Sequence, residues 1–518
     1  MPSTVEHGGQ SAAIAYLDGL SSERIDTHIS HVFLSGDRAL KLKRHVKFPY
    51  LDFSTVEARR QSCEAEVRIN RRTAPELYLG VRAVTREDSG DLALDGDGEV
   101  VDWVVEMARF DQLTLFDRQV QAGTLDDAVM RDLADVIAEF HEEAEVETID
   151  GGARTLGMII DNNAETFRGL PEGLFDVDEV DTFARDCRAE WEGVSPLLDA
   201  RRERGRVRHC HGDLHLRNIC QVDGRPILFD AIEFDDAFAT IDVLYDLAFL
   251  LMDLEHRGHR DLASAVMNHY LDRCPDDDGL AALPLFMAVR AAIRAHVTAA
   301  MVASVASADS ADDRALAEAR DYLVAARELL RPVAPVVVAV GGLSGSGKTT
   351  LARGLAPLLG RAPGGRVLRA DVERKRLMGV APTVRLPDDA YGHEVTQRTF
   401  ERLFEKAAEV LAAGQALVLD SVFAAPIHRA MAEQAARDAG VPFLGLWLEA
   451  PEAERIDRVE ARRDDASDAD ARVIGLQAAY DPGDMDWAHI PAESDARAVM
   501  ATARELLTPL SSAPKSAS

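Results

Sequence analysis

Residues 342–349 read GLSGSGKT, and the runs on either side leave the chain little choice of local fold. The apolar run PVVVAV comes before, and the helical run TTLARGLAPLL comes after. A buried strand, a glycine-rich turn and a helix in that order make a loop whose successive N–H groups converge on phosphate oxygens. The helix N-terminus adds partial positive charge. The pattern G-x-x-x-x-G-K-[ST] is met by Gly342, Gly347, Lys348 and Thr349. Gly342, Ser344, Gly345, Ser346, Gly347, Lys348, Thr349 and Thr350 are therefore expected to bind ATP, with Lys348 on the outer phosphates and the Thr349 hydroxyl on Mg²⁺.

The strand-like runs VVVAV, GRVLRA, ALVLD and FLGLWL alternate with helical ones from this point on, which predicts a mainly parallel sheet covered on both faces. A chain of 518 residues is too long for one core. The prolines of RPVAP mark a domain boundary near 331–335. Upstream, residues 25–108 carry short alternating strands and one helical stretch, TVEARRQSCEAEVRINRRT. Residues 111–330 are mostly helical, interrupted by a compact loop and strand region at 207–235. The expected fold is thus an α+β domain over 1–330 followed by an α/β domain over 331–518. Residues 1–12 and 511–518, small and polar, are expected to be disordered.

The formal charge of −31 excludes a general affinity for nucleic acid, whose phosphates need clustered Lys and Arg. Local positive charge is concentrated instead, in Lys41, Lys43 and Lys47 and in Lys348. No run approaches the roughly 20 uninterrupted apolar residues of a membrane span, and no signal peptide is visible, so the expected location is cytoplasmic with no membrane partner. The five cysteines lack CxxC spacing and read as reduced thiols.

Beside the phosphate loop, Asp420 ends the strand ALVLD, where an acidic group stands near Mg²⁺ in such sheets; a helix cap is the competing reading. Asp371 opens the helical run ADVERKRL, either to receive the hydroxyl proton of an acceptor or to cap that helix. Arg455, Arg458 and Arg462 share one helical face. They form either a lid on transferring phosphates or solvated pairs with Glu452, Glu454 and Glu460. From GLSGSGKTT through RADVERKRL, LDSVF and RVEARRDDASDADARVIGLQ, the chain resembles small-molecule P-loop kinases of the gluconate-kinase and zeta-toxin-like style. That resemblance implies phosphorylation of a small hydroxylated compound, with an arginine-bearing lid closing over ATP.

A second constellation lies upstream. Residues 211–218 read HGDLHLRN, and the strand PILFD ends at Asp230. Phosphoryl transfer needs a carboxylate at the acceptor hydroxyl and metal ligands beyond it; Asp213, Asn218 and Asp230 have the spacing for those roles. His211 and His215 read as groups that fix the loop rather than as zinc ligands, and Asp242 and Asp246 as capping or anchoring carboxylates. HGDxHxxN, FDxxE and DxxxDLAFL resemble the aminoglycoside phosphotransferase-like kinases. This implies a two-lobed protein-kinase-like fold, with a small lobe over about 25–108, a large lobe over about 111–330, and a hinge at Glu106–Met107 contacting the nucleotide. It also implies a phosphate-binding lysine, Lys41 in preference to Lys43, paired with a helical glutamate, Glu66 in preference to Glu64. One departure is plain: no G-x-G-x-x-G loop precedes Lys41, and Gly36 reads as a hairpin turn, leaving the backbone near Ser30 as a substitute clamp.

Together these readings describe a bifunctional ATP- and Mg²⁺-dependent phosphotransferase for small metabolites. The alternative is a P-loop kinase or ATPase carrying a regulatory, non-catalytic kinase-like domain. Neither the acceptors nor the oligomeric state follow from the sequence.

Overall fold

The computed structural model describes residues 4–27, 29–48, 51–304, 310–461, 466–477, 482–493 and 495–511. By internal contact the chain divides into two compact units, Met1–Asp253 with Ala291–Tyr322, and Leu254–Arg290 with Leu323–Ser518.

In the first unit a six-stranded antiparallel sheet has the spatial order Glu23–Asp26, Ser30–Ser35, Arg38–Lys43, Glu99–Ala108, Tyr78–Arg86, Leu92–Leu94. The run RALKLK alternates because strand side chains point to opposite faces with a period of two. Leu40 and Leu42 join Phe33, Val84 and Val104 on one face, and Ala39 joins Cys63, Val67 and Met107 on the other. Lys41 and Lys43 have the parity of Ala39 and so face the helix Val56–Asn70, which Thr55 caps by accepting from Ala58 N.

The expectation of disorder in residues 1–12 is corrected for residues 4–12; residues 1–3 lie outside the described residues. Thr4–Leu20 is a helix whose Ala13 and Leu17 cover the apolar face of the sheet. Gln10 ties it down, donating from Nε2 to the Lys43 carbonyl and to Asp102 Oδ2, both at 3.0 Å. An exposed Leu40–Leu42 face needs that cover, which outweighs the weak apolar content of the segment. The tail 512–518 lies outside the described residues.

The large-lobe part of this unit is helical, with two short ribbons embedded in it. Val207–His209 pairs with Thr240–Asp242, and Ile219–Val222 with Arg225–Leu228. The loop 210–218 runs between them.

In the second unit five parallel strands have the order Arg366–Arg369, Leu417–Asp420, Val337–Gly342, Phe443–Glu449, Ala488–Pro491. The first four follow the expected runs, and AHIP supplies a fifth strand at an edge. The helices Lys348–Leu355 and Ala496–Ser511 bury Leu351, Leu355, Val499 and Leu507 against Val338, Val418 and Leu446. The helix Arg260–Arg273 and the turn Asp277–Ala281 belong to this unit as well. By length and composition the stretch Leu283–Ala303 is apolar enough to cross a bilayer, but 61% of it is buried inside the fold. All five cysteines are free and buried.

Candidate active sites

The loop 210–218 is held from beneath by the helix Val243–His256. Asp246 accepts from His211 N at 3.1 Å and Gly212 N at 2.9 Å, and His141 Nε2 lies 3.1 Å from its carboxylate. Asp253 accepts from Leu216 N at 3.1 Å. Asp242 pairs with both ends of the buried Arg201 guanidinium at 2.8 Å and caps Leu244 N. His141, Cys210 and Asp246 bring three potential ligand atoms within 4.8 Å of one another, but the hydrogen bonds just described already engage the aspartate.

His211 is buried and its tautomer is fixed by its partners: Nε2 donates to the Phe229 carbonyl at 3.0 Å, while Nδ1 accepts from Asp213 N at 3.3 Å. Burial lowers its pKa, despite the nearby Asp246 and Asp213 carboxylates. Asn218 donates from Nδ2 to the Asp213 side chain at 2.8 Å and to its carbonyl at 2.9 Å. His215 Nε2 stands 3.3 Å from the Asp213 carboxylate. Burial works against ionising Asp213, but His215, Arg294 and His211 outweigh it and hold the carboxyl below its usual range.

Across the same site Lys41 Nζ lies 2.7 Å from Glu66 Oε1 and 2.5 Å from Asp230 Oδ1. Lys43 is fully buried, bridging Glu66 Oε2 and Glu233 Oε1. Both lysines therefore share the one buried glutamate, while Glu64 pairs on the surface with Arg60. Burial opposes the Lys41 charge, yet Asp230 and Glu66 raise its pKa well above the ordinary value. Asp230 takes a left-handed backbone, φ 62°, and its N–H donates to the buried Tyr78 hydroxyl at 3.1 Å. Asn70 accepts from Ala231 N at 2.8 Å, fixing the next residue. Met107 is buried between Ala39 and Tyr78 in the sheet register. Gly36 occupies the hairpin turn at φ 58°. The Ser30 backbone is engaged on both sides with Thr27, so it has little left to offer a phosphate.

Sequence reading gave Glu233 no role beyond its place in FDxxE, and left Lys43 second to Lys41. Lys43 bridges Glu66 and Glu233, the latter 190 positions away, and Lys41 shares the same Glu66; no local pattern signals this cluster.

In the second unit the phosphate loop leaves the strand Val337–Gly342 and enters the helix Lys348–Leu355. Gly345 has φ 82°, and a Cβ there would meet the Arg455 carbonyl oxygen at 2.5 Å, so only glycine fits beneath the helix Glu452–Glu460. Lys348 Nζ donates to the Leu343 carbonyl at 3.1 Å. The Thr349 hydroxyl donates to Asp420 Oδ2 at 2.7 Å, and Arg369 Nε lies 3.4 Å from the same oxygen. Among the described residues, the buried Ser346 hydroxyl oxygen has no hydrogen-bond partner, nor have Nε and Nη1 of the buried Arg455. Unpartnered donors of this kind fit an anionic ligand such as a triphosphate, and the Thr349–Asp420 pair is the oxygen donor set that suits Mg²⁺.

Arg458 donates to Ala492 O at 2.7 Å and to Ser346 O at 3.4 Å, and pairs with Glu454. Arg462 lies outside the described residues. Asp371 sits in the first turn of the helix Ala370–Leu377, whose N-cap is Arg369. Burial raises its carboxyl pKa, opposed by Arg369 and reinforced by Asp420, with Lys348 and Arg374 also nearby.

Four contacts here, made by Gln477 and Asp468, were not legible in the sequence. Gln477 accepts from Ser344 N at 2.8 Å, and Asp468 accepts from Lys375 at 3.0 Å, Tyr391 OH at 2.7 Å and Leu386 N at 2.9 Å.

The fold is that of two kinase-type domains joined in one chain. The family described as "Phosphotransferase enzyme family" matches residues 52–283, and the family described as "AAA domain" matches residues 337–481. The chain belongs to the bacterial family in which an aminoglycoside phosphotransferase-like kinase domain is joined to a P-loop small-molecule kinase domain, and these domains imply ATP binding. Among its relatives are Uncharacterized protein Rv2004c of Mycobacterium tuberculosis and Uncharacterized protein Mb2027c of Mycobacterium bovis. Each is 30% identical over 472 residues, covering 90% of this chain and 91% of the relative.

Among solved structures, a choline/ethanolamine kinase family protein from Mesorhizobium loti matches 62% of this chain and 99% of its own, at 15% identity and TM-score 0.37. A gluconokinase from Sinorhizobium meliloti 1021 matches 34% and 94%, at 18% identity and TM-score 0.26. Scores this low carry no argument about function.

Proposed function

We propose that the chain is a bifunctional ATP-dependent phosphotransferase acting on hydroxyl groups of small metabolites. Residues 1–330 supply one kinase and residues 331–518 the other. The observation that carries this reading is the convergence in each unit of a carboxylate near metal-type ligands and a lysine: Asp213, Asn218, Asp230 and Lys41 in the first, Asp371, Asp420, Thr349 and Lys348 in the second.

In the first site Asp213 takes the proton of the acceptor hydroxyl, and the freed oxygen attacks the γ-phosphorus as the bond to ADP breaks. Lys41, oriented by Glu66, neutralises the α- and β-phosphates, and Met107 lines the nucleotide pocket. Asn218 and Asp230 would hold Mg²⁺. In the second site Asp371 is the proton acceptor, Lys348 and the loop amides hold the outer phosphates, and Arg455, Arg458 and Arg462 close over them. Thr349 and Asp420 would hold the ion. Bound Mg²⁺ supplies charge neutralisation at the phosphate oxygens. The partners are ATP and small-molecule acceptors in a cytoplasmic setting.

A second reading, in which the first domain is regulatory, is favoured by one observation. Lys41 is engaged by Asp230 as well as Glu66, and no glycine-rich loop stands over it.

The test is a mass-spectrometric search for metabolites that gain one phosphoryl group with the intact protein and ATP, repeated with Asp213→Ala and Lys348→Ala. Each substitution is expected to remove a distinct product, by about 10²–10⁴-fold in rate. Persistence of all turnover in Asp213→Ala selects the regulatory reading. Persistence in Lys348→Ala rejects the P-loop site.

A further inference from the structure

Asp371 lies on an edge. The strand Arg366–Arg369 is the outermost of the parallel sheet, and the helix Ala370–Leu377 leaves it directly. An edge strand presents unpaired N–H and C=O groups, so its position depends on whatever covers it. The cover comes from residues 260–281, about 60 to 80 positions before the phosphate loop and within the stretch matched by the phosphotransferase family.

Asn268 serves this edge as a neighbouring strand would. Its Oδ1 accepts from Val367 N at 2.7 Å, and its Nδ2 donates to the Gly365 carbonyl at 3.2 Å. Arg366 is fully buried, with Asp272 Oδ1 at 2.8 Å and Asp277 Oδ1 at 2.7 Å. Beyond Asp371, Arg376 donates to the Leu271 carbonyl at 2.7 Å and the Asp272 carbonyl at 2.8 Å. These are terminal carbonyls of the helix Arg260–Arg273, where a cation also meets the negative end of the helix dipole. Lys406, from the helix His393–Ala412, reaches Asp277 at 3.6 Å.

Two arginines thus bracket Asp371, five residues before it and five after, and both are fastened to the same short stretch. Among the described residues, no hydrogen bond or ion pair joins either arginine to the phosphate loop. Their geometry constrains the carboxylate that faces the acceptor, and leaves the strand Val337–Gly342 and the helix Lys348–Leu355 to other contacts.

From this we infer that residues 260–281 are a working part of the P-loop kinase, with Arg366 and Arg376 as positioning residues that hold Asp371 in register for the acceptor. The inference rests on the functional reading above for its catalytic consequence. The anchoring itself is readable without that reading. It follows that the acceptor half of the P-loop site depends on chain outside the 337–481 family match, whereas nucleotide binding does not.

The experiment uses the full chain carrying Asp213→Ala, so that Lys348-dependent ADP release from ATP, in the presence of a metabolite extract, reports the P-loop site alone. Arg376→Gln and, separately, Asp272→Asn are expected to lower kcat tenfold or more, with KM for ATP held within twofold. Hydrogen–deuterium exchange is expected to rise in residues 366–377 and stay level in residues 348–355. Arg376→Lys, which still offers donors to the helix carbonyls, should restore at least half of the lost rate; a merely structural defect would not show that rescue together with an unchanged KM.

Unchanged kcat with unchanged exchange overturns the inference. So does a parallel loss of ATP affinity and of protection in residues 348–355, since the effect would then be general loosening. If the Asp213→Ala parent shows no Lys348-dependent turnover, it is the functional reading that fails, and the exchange measurement alone decides the anchoring.

Discussion

The two sites answer one chemical demand with opposite materials. In the first, the cation proposed to face phosphate is held by buried charge: Lys41 and Lys43 lie in the interior around a single Glu66, with Asp230 and Glu233 closing the cluster. In the second, the backbone carries most of the work: glycines at positive φ, a helix N-terminus, and Lys348 donating to a loop carbonyl. A charge cluster is tuned by side chains distant in sequence and is fragile to the loss of any one of them. A backbone cradle is local, and its stability is largely that of the sheet and helix it joins.

The largest test of this contrast is Glu66→Gln against Lys348→Met. Glu66 is fully buried between two lysines, so neutralising it breaks two buried ion pairs at once and leaves Lys41 with Asp230 alone and Lys43 with Glu233 alone. The expected cost is about 3–5 kcal/mol of stability. Lys348→Met gives up, among its contacts, the hydrogen bond to the Leu343 carbonyl, which contributes about 1 kcal/mol. Chemical denaturation of the full chain, followed by fluorescence and by exchange of peptides from each unit, separates the two. Equal losses would remove the distinction drawn here.

The same contrast explains what the sequence disclosed. The phosphate loop was legible because its parts are contiguous: strand, glycines, lysine and hydroxyl lie within a dozen residues. The spacing of Asp213 and Asn218 was legible for the same reason. Glu66 was found only through family likeness, and its sharing with Lys43 and Glu233 was not found, because strand, helix and distant hairpin converge only in three dimensions. The N-terminal helix was misread for a related reason: its residues look dispensable until the Phe33, Leu40 and Leu42 face that they cover is known. The strand Ala488–Pro491, four residues with a proline, has no apolar run to announce it. Residues 254–290 read as continuous with the preceding helices, yet pack with the following sheet.

A smaller effect is expected from pH. Asp213 is held below the ordinary carboxylate range by His215, Arg294 and His211, whereas burial raises Asp371. In the roles proposed for them, both must be unprotonated to accept a proton from an acceptor hydroxyl. As pH falls from neutral, Asp371 protonates first, at a pH above the ordinary aspartate value of about 3.9, while Asp213 stays ionised. Lys348-dependent kcat/KM should therefore decline on the acid side by about tenfold per pH unit below the Asp371 pKa. Asp213-dependent turnover should show no acid limb from its own base in that range. Rate profiles of Asp213→Ala and Lys348→Ala measured side by side decide the point, and the reverse order would break it.

The finest probe is Tyr78→Phe. Asp230 holds a backbone conformation, φ 62°, that non-glycine residues adopt at a cost of about 1–2 kcal/mol. Its N–H is satisfied by the Tyr78 hydroxyl at 3.1 Å. Removing that oxygen keeps the ring in the core but leaves the donor unpaired, a loss of about 1 kcal/mol or about fivefold in the population of the competent carboxylate position. The Mg²⁺ concentration for half-maximal Asp213-dependent turnover should rise by about that factor, with Lys348-dependent turnover unchanged. Asp420 offers no equivalent substitution. It ends a strand in regular register with Val340 and Arg369, so its backbone is held by the sheet itself. A Tyr78→Phe protein with an unaltered Mg²⁺ requirement would mean that the lysine cluster alone fixes Asp230, and would move the fragile point of the first site from its backbone to its ion pairs.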